Sequence, residues 1–479
     1  MADGGRDYEH LAGMDAMLWS VEADPVLRNT IAVVALLDRM PDFARVAERF
    51  DRLSRLAPNF RHRLVSPPLR LDTPAWVVDQ DFDLHYHVRR AGVPTPGTLD
   101  AALEYAQTSV MAGLDKDRPM WEATFLDGLN DPGGSTAIMF LKVHHVLTDG
   151  VGGLALMAHL LDNDPEGDPL GPMPPEPEAG QRGAMAMLSE SLRRRQRRNV
   201  ELTRRAMAGA WRAVPVMLRN PRRAVDEVIG NVRAFGKMLM PPGATESTVI
   251  TGRRGWNRFG VVETTTAALV DAAKALGATV NDVYTAGVVG GVSDYHEALG
   301  APVANLKVCI PVSVRKRGDR GGGNKVTIVR AEIPAHRASL EDRIASIHES
   351  VKTAREDLKY PLTAALGPVL NAFGPMLVPF IGAMSKGFDL VVSNVPGGND
   401  QAYVGGARLD KLFAFGPPSG TAINVTMHTY RGAAFLGVNA DAAAVSDVDL
   451  LVRSLATSFA EVERLASKAG RGRRAPRTR

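Results

Sequence analysis

Six prolines lie between residues 163 and 183, at Pro165, Pro169, Pro172, Pro174, Pro175 and Pro177. Each fixes φ and removes a backbone N–H, so neither a helix nor an inner strand can run through this segment. Gly, Asp and Glu fill the gaps, which is the composition of a linker. The chain is thereby divided into separate blocks of secondary structure. From about residue 11 to 161 short strands and helices mix, and the apolar, partly β-branched run 136–143 predicts a strand. Residues 185–239 read as basic helices broken near Pro215 and Pro221. From 249 to about 466 the two kinds of signal alternate again. Strands are expected over 305–314, 325–333, 389–394, 422–428 and 433–439, the last two joined by a turn at Arg431-Gly432. Helices are expected over 264–276, with threonines to cap its first turn, and over 339–358. Two α/β halves joined by a crossover follow, with a ligand site expected between them.

Composition narrows the class. The 479 residues are 45% hydrophobic and 23% charged, which excludes a disordered, collagen-like or disulfide-scaffold chain. Cys309 is the only cysteine, so no intrachain disulfide can form. The first residues lack a basic stretch followed by an apolar one. Both features predict a cytoplasmic protein. The longest uncharged run, 360–385, is broken by seven prolines and glycines, from Pro361 to Gly382, and does not read as a spanning helix.

The formal net charge of +4 hides a separation. Residues 181–240 carry a net +10 and residues 468–479 a net +6, which leaves the other 407 residues at −12. Basic segments with interleaved apolar residues suit an anionic membrane surface better than nucleic acid here; otherwise they are a solvated helix and a tail.

One segment carries chemistry: Lys142-Val143-His144-His145-Val146-Leu147-Thr148-Asp149-Gly150. It ends a strand and opens a helix over 151–161. Neighbouring strand residues point to opposite faces, so His144 and His145 cannot serve one site as equal partners. One faces the cleft and the other is packed. The same geometry argues against a metal centre, which needs converging ligands. A neutral histidine is the natural general base near neutral pH. Asp149 then orients a histidine or ties the turn through an ion pair, and Gly150 allows a tight turn.

This spacing resembles the HHxxxDG motif of the CoA-dependent acyltransferase superfamily. Further segments tighten the match to the bacterial wax ester synthase/diacylglycerol acyltransferases. Arg118-Pro119-Met120-Trp121-Glu122 resembles their RPLWE segment, Asn281-Asp282-Val283 their ND motif, and Pro311-Val312-Ser313-Val314-Arg315 their P-x-S-x-R strand. Ser393-Asn394-Val395-Pro396-Gly397 resembles their SNVPG motif. Met14-Asp15-Ala16-Met17 and Phe60-Arg61-His62-Arg63-Leu64 also fit, and the likeness runs from about residue 11 to 466. The departures are Met120 for leucine, Gly398 where proline is common, and His428-Thr429-Tyr430 where a Ser-Tyr pair is usual. The last points to a reshaped acceptor pocket.

The resemblance implies an α/β fold of two chloramphenicol-acetyltransferase-like halves with an active-site tunnel between them. It implies an N-terminal half over 1–162, linker and helical crossover over 163–248, a C-terminal half over 249–466 and a basic tail over 467–479. It implies transfer of a fatty acyl group from acyl-CoA, a co-substrate rather than a bound cofactor, to diacylglycerol or a long-chain alcohol. His145 maps to the general base, beside His144 and Gly150. Asp149 becomes structural, paired with Arg315 or, second, Arg118. An oxyanion needs a preorganised donor, for which Asn281 is the candidate; a helix N-cap is its alternative role. Trp121, Asp282, Arg315, Ser393, Asn394 and Pro396 are candidate substrate-binding positions, Trp121 reading more readily as core. Lys316, Arg317 and Arg320, around a glycine-rich loop, are candidates for the CoA phosphates. The run 360–385 is a candidate lipid entry surface or else buried core. No metal and no nucleic acid are expected; contact with an anionic membrane or lipid droplet is. The alternatives are a condensation-type transferase using another thioester or acceptor, and a catalytically silent lipid-binding protein. Cys309 sits in an apolar strand and reads as inert. The chain has no Gly-x-Ser-x-Gly elbow.

Overall fold

The computed structural model describes residues 9–11, 13–67, 73–147, 153, 156–178, 189, 192–194, 196–197, 200–201, 203–204, 245–313, 326–335, 339–357 and 386–474. The N-terminal block opens with α1 (Gly13–Val21) and β1 (Thr30–Leu37), then α2 (Phe43–Leu56), β2 (His62–Val65), β3 (Ala75–Val78), the single turn α3 (Leu84–His87) and β4 (Val88–Gly92). It closes with α4 (Leu99–Ala112), β5 (Trp121–Asp127) and β6 (Ala137–His144). The C-terminal block holds β7 (Asn257–Thr265), α5 (Thr266–Leu276), α6 (Val280–Ala298), β8 (Asn305–Ser313), β9 (Val326–Pro334) and α7 (Leu340–Asp357). It ends with β10 (Leu390–Val395), β11 (Tyr403–Val404), β12 (Ala407–Phe415), β13 (Ile423–Tyr430), β14 (Ala433–Asp441) and α8 (Val448–Arg474).

The strands expected over 136–143, 305–314, 325–333, 389–394, 422–428 and 433–439 and the helices over 264–276 and 339–358 match these bounds within a few residues. Of the helix expected over 151–161, the described residues show helix at 153 and 156–157 and a turn at 158–160. Thr265 caps α5, its hydroxyl accepting from the Ala268 N–H. Arg431 and Gly432 both have positive φ, 50° and 80°, the backbone that a two-residue hairpin turn demands between β13 and β14.

Two six-stranded mixed sheets carry the fold. One runs β11-β12-β1-β6-β5-β4 and the other β7-β14-β13-β10-β8-β9. β11 and β12 come from the C-terminal block yet belong to the first sheet, β12 pairing antiparallel with β1. The division at residue 249 therefore follows the chain but not the sheets. Aromatic packing closes the seam: Phe259 of β7 stacks on Phe415 of β12 at 4.2 Å, and Phe413 meets Phe435 edge-on at 5.3 Å. Such pairs contribute about 0.5–1.5 kcal/mol each beyond the area they bury.

The proline segment is not a free linker where it is described. Residues 162–176 lie along α2, whose Arg45, Arg49, Arg52 and Arg55 recur at helical spacing on one face. Arg45 donates to the Pro165 carbonyl (2.9 Å) and Arg55 to the Pro174 carbonyl (3.1 Å) and the Glu176 carboxylate (2.9 Å). Arg52 donates to Leu170, and Arg49 pairs with the buried Asp162. Prolines leave a segment rich in acceptors and poor in donors, and an arginine row supplies what it lacks. The basic crossover 185–239 and the run 360–385 lie almost wholly outside the described residues. Among the described residues no helix is long and apolar enough to cross a membrane.

Candidate active site

β6 is buried along its whole length, between β1 and β5, because every residue from Ala137 to Val143 except Lys142 is apolar. Lys142 is held by the Glu122 carboxylate (3.1 Å) and by the Ser109 and Gly113 carbonyls that end α4. The strand delivers the two histidines to different surroundings. His144 is fully buried and directly opposite Thr30 on β1. Its Nδ1 accepts the Val146 N–H at 3.1 Å, which places the ring proton on Nε2. That Nε2 lies 3.0 Å from the Glu22 carboxylate, off the line of a hydrogen bond. Trp19 meets the ring edge-on at 5.7 Å. His145 comes one residue past the strand, in a turn, and is half-buried.

Asn29 organises this turn. Its carbonyl accepts the His145 N–H (2.8 Å), its own N–H reaches Glu22 (3.0 Å), and its side chain donates to the Leu27 carbonyl (2.8 Å). Its Oδ1 accepts the Ser419 hydroxyl at 3.0 Å, which ties the loop after β12 to the histidine segment. Sequence reasoning missed Glu22, Asn29 and Ser419. The one available signal was a lone acid after an apolar helix; the partners are too distant in sequence for pattern to pair them.

The other expected positions divide. Trp121 is fully buried, stacked on Phe50 (5.4 Å) and His87 (4.5 Å), with its indole N–H on the Phe60 carbonyl (2.9 Å). It is core, not a substrate contact. Asp282 is likewise taken up by the framework. Its carboxylate accepts the Thr279 N–H (2.9 Å) in a capping box and meets His348 Nδ1 at 2.8 Å. Thr279, not Asn281, is the N-cap of α6, so the capping alternative for Asn281 falls; Asn281 stands half-buried in the first turn. Arg118 lies over the Tyr86 ring at 4.3 Å, with Asp115 at 3.8 Å.

Ser393 is half-buried at the end of β10, and Asn394 and Pro396 are exposed. Gly397 passes so close to Thr429 and His428 that a Cβ there has no room, and its N–H donates to the Thr429 hydroxyl at 3.0 Å. The His428-Thr429 departure thus supports this loop from beneath. Asp149, Gly150, Arg315, Lys316, Arg317 and Arg320 lie outside the described residues. Burial pushes the Cys309 thiol up to about 12, which keeps it protonated and unreactive. Among the described residues no cluster of His, Cys, Asp and Glu is arranged to hold a metal.

A cleft lies between the halves, with Arg28 and Thr30 on one side and Pro417, Pro418 and Asp441 on the other. Neither histidine is among its lining residues; the lining residue Thr30 is the strand partner of His144. A half-buried histidine such as His145 suits proton transfer to or from a hydroxyl.

Comparison with known proteins gives this arrangement a context. Residues 11–284 match the wax ester synthase/diacylglycerol acyltransferase catalytic domain, and residues 322–463 match the WS/DGAT C-terminal domain. A Mycobacterium tuberculosis H37Rv protein named as a diacylglycerol O-acyltransferase is 31% identical over 469 residues, covering 97% of this chain and 94% of its own. A second from the same strain is 29% identical over 472 residues, covering 94% and 96%. The fold is similar to that of the wax ester synthase/diacylglycerol acyltransferase of Marinobacter aquaeolei VT8, with a TM-score of 0.64, 21% identity and coverage of 96% and 100%. It is also similar to a starter condensation domain of rhizomide synthetase solved with C8-CoA, with a TM-score of 0.58, 14% identity and coverage of 96% and 95%.

Proposed function

The chain belongs to the wax ester synthase/diacylglycerol acyltransferase family and is an acyltransferase; from that premise we propose that it joins the acyl group of a long-chain acyl-CoA to the hydroxyl of diacylglycerol or of a fatty alcohol. The observation that carries the reading is the unequal placement of the two histidines. His144 is locked against Glu22 and the Val146 amide, while His145 stands at the strand end with part of its surface open.

An alcohol is a poor nucleophile until a base removes its proton. His145 takes that proton as the alcohol oxygen bonds to the thioester carbonyl carbon. The carbonyl oxygen becomes an oxyanion, for which the Asn281 amide is the proposed donor. Collapse breaks the C–S bond, and His145 returns its proton to the CoA thiolate. Ester and free CoA leave, and no proton is gained or lost overall. Asp149, paired with Arg315 or Arg118, and Gly150 shape the turn after His145. Ser393, Asn394 and Pro396 border the acceptor side, and Lys316, Arg317 and Arg320 meet the CoA phosphates. The basic segments hold the enzyme at the cytoplasmic face of an anionic membrane, where its lipid substrates reside.

The test is direct. Purified protein is incubated with palmitoyl-CoA and either dioleoylglycerol or hexadecanol, and the neutral lipids are separated. Ester is expected with at least one acceptor, and ester from neither overturns the reading. His145→Ala is expected to lower turnover by at least about two orders of magnitude, the range for loss of a general base. Near-normal turnover in that variant removes His145 from the role.

A further inference from the structure

Thr30 is 3% exposed, yet its hydroxyl has no hydrogen-bond partner among the described residues. A buried hydroxyl left unpaired costs about 1–3 kcal/mol, so such groups are rare unless something else completes them. Thr30 lines the cleft between the two halves. The cleft is otherwise apolar on this side, through Val26, Val110 and Met111, and Pro417 and Pro418 face it from the other half. Its polar groups are unequal. The Asp441 carboxylate is spent on the backbone N–H groups of Arg254 (2.6 Å), Gly255 (2.7 Å) and Ala443 (3.0 Å). Arg28 commits one nitrogen to the Met111 carbonyl (2.5 Å). The lining therefore offers spare donors, from Arg28 and Thr30, and no spare acceptor with charge.

Position links this cleft to the chemistry. Thr30 faces His144 across the β1–β6 ladder, and the preceding residue, Asn29, receives the His145 N–H. We infer that Thr30, with Arg28 beside it, forms a subsite for an ester carbonyl oxygen of a glycerolipid acceptor, and so biases the enzyme towards acylglycerols over simple alcohols. The inference rests on the acyltransferase reading above and names which acceptor that site selects. In a 1,2-diacylglycerol the carbon next to the one bearing the free hydroxyl carries an ester, so a carbonyl held at Thr30 keeps the hydroxyl within a few bonds of the turn where Asn29 receives the His145 N–H. A fatty alcohol has no second oxygen to offer. A neutral carbonyl needs only donors and brings no charge to bury. Trp256, 54% exposed between the lining residues Gly255 and Asn257, puts an indole at the rim, where a lipid would enter.

Thr30→Val removes the hydroxyl and keeps the shape; Thr30→Ser restores it. The readout is the ratio of kcat/KM for dioleoylglycerol to that for hexadecanol, at fixed palmitoyl-CoA. The ratio is expected to fall about five- to tenfold in Thr30→Val, the worth of one uncharged hydrogen bond, and to recover in Thr30→Ser. A ratio unchanged in Thr30→Val, or equal losses on both acceptors, overturns the subsite. Binding separates this from failure of the acyltransferase reading. Dioctanoylglycerol and decanol are titrated against the wild type and Thr30→Val by intrinsic fluorescence. Selective weakening of dioctanoylglycerol supports the subsite even if no ester forms, and parallel binding of both ligands in both proteins rejects it.

Discussion

At the scale of single residues, burial decides which groups stay neutral. His62, His87, His296 and His428 are all pushed below the ordinary histidine range by loss of solvent. His87 is lowered from 6.5 to about 4, because desolvation outweighs its 2.7 Å hydrogen bond to the Trp121 carbonyl. The unfolded chain takes up a proton at this side chain near pH 6.5, whereas the fold resists it until about pH 4. Stability is therefore fully present above pH 6.5 and is lost as pH falls towards 4. His87 alone contributes a loss on the order of 3 kcal/mol across that window. Urea midpoints are expected to fall steadily between pH 7 and pH 4.5. A midpoint that stays level down to pH 5 contradicts the assignment of these rings as neutral in the fold. The two motif histidines differ in packing. His144 is a packed residue whose replacement disturbs Glu22, Trp19 and the turn, so His144→Ala is a stability variant before it is a kinetic one.

At the scale of elements, the arginine row of α2 and the proline-rich strap make one unit. The Asp162 side chain is 1% exposed and Arg49 10%, so removing Asp162 leaves Arg49 buried without the carboxylate it pairs with, whereas removing Arg49 still leaves Asp162 with Arg45 at 3.5 Å. Asp162→Ala is expected to cost about 3 kcal/mol, the low end for breaking a buried pair. Glu176 is 62% exposed, and Glu176→Ala is expected to cost less than about 1 kcal/mol. Urea unfolding of the two variants measures the difference, and equal small losses mean that the strap merely rests on the helix. The strap also marks the limit of reading elements from sequence. Turn chemistry at Arg431-Gly432, the Thr265 cap and the β6 run were legible because each is decided by residues within a few positions. The docking of 162–176 on α2 was not, since proline content reports what a segment cannot form and says nothing of what it touches. β12 was legible neither as a strand nor as a member of the first sheet, because its partner β1 lies far away in sequence, Val34 standing opposite Phe413. The histidine motif was visible, but Asn29 and Glu22, which hold it, carry no local pattern.

At the scale of the whole molecule, the distribution of charge matters more than its sum. The mean is nearly neutral, but residues 181–240 and 468–479 together hold +16 against −12 elsewhere. A uniform chain of this net charge has little reason to approach an anionic bilayer. A separated one has two basic segments to offer to such a surface. Each basic residue near such a surface contributes about 1 kcal/mol at physiological salt, so the six in residues 468–479 suffice for a measurable share of binding. Screening discriminates this from insertion of apolar groups, because the Debye length shrinks from about 10 Å at 0.1 M to about 3 Å at 1 M. Co-sedimentation with liposomes containing phosphatidylglycerol is expected at 0.1 M salt, to weaken on removal of residues 468–479, and to be lost at 1 M. Binding that survives 1 M salt transfers the role to apolar contacts such as the exposed Trp256, and binding equal on neutral phosphatidylcholine rejects an electrostatic dock altogether.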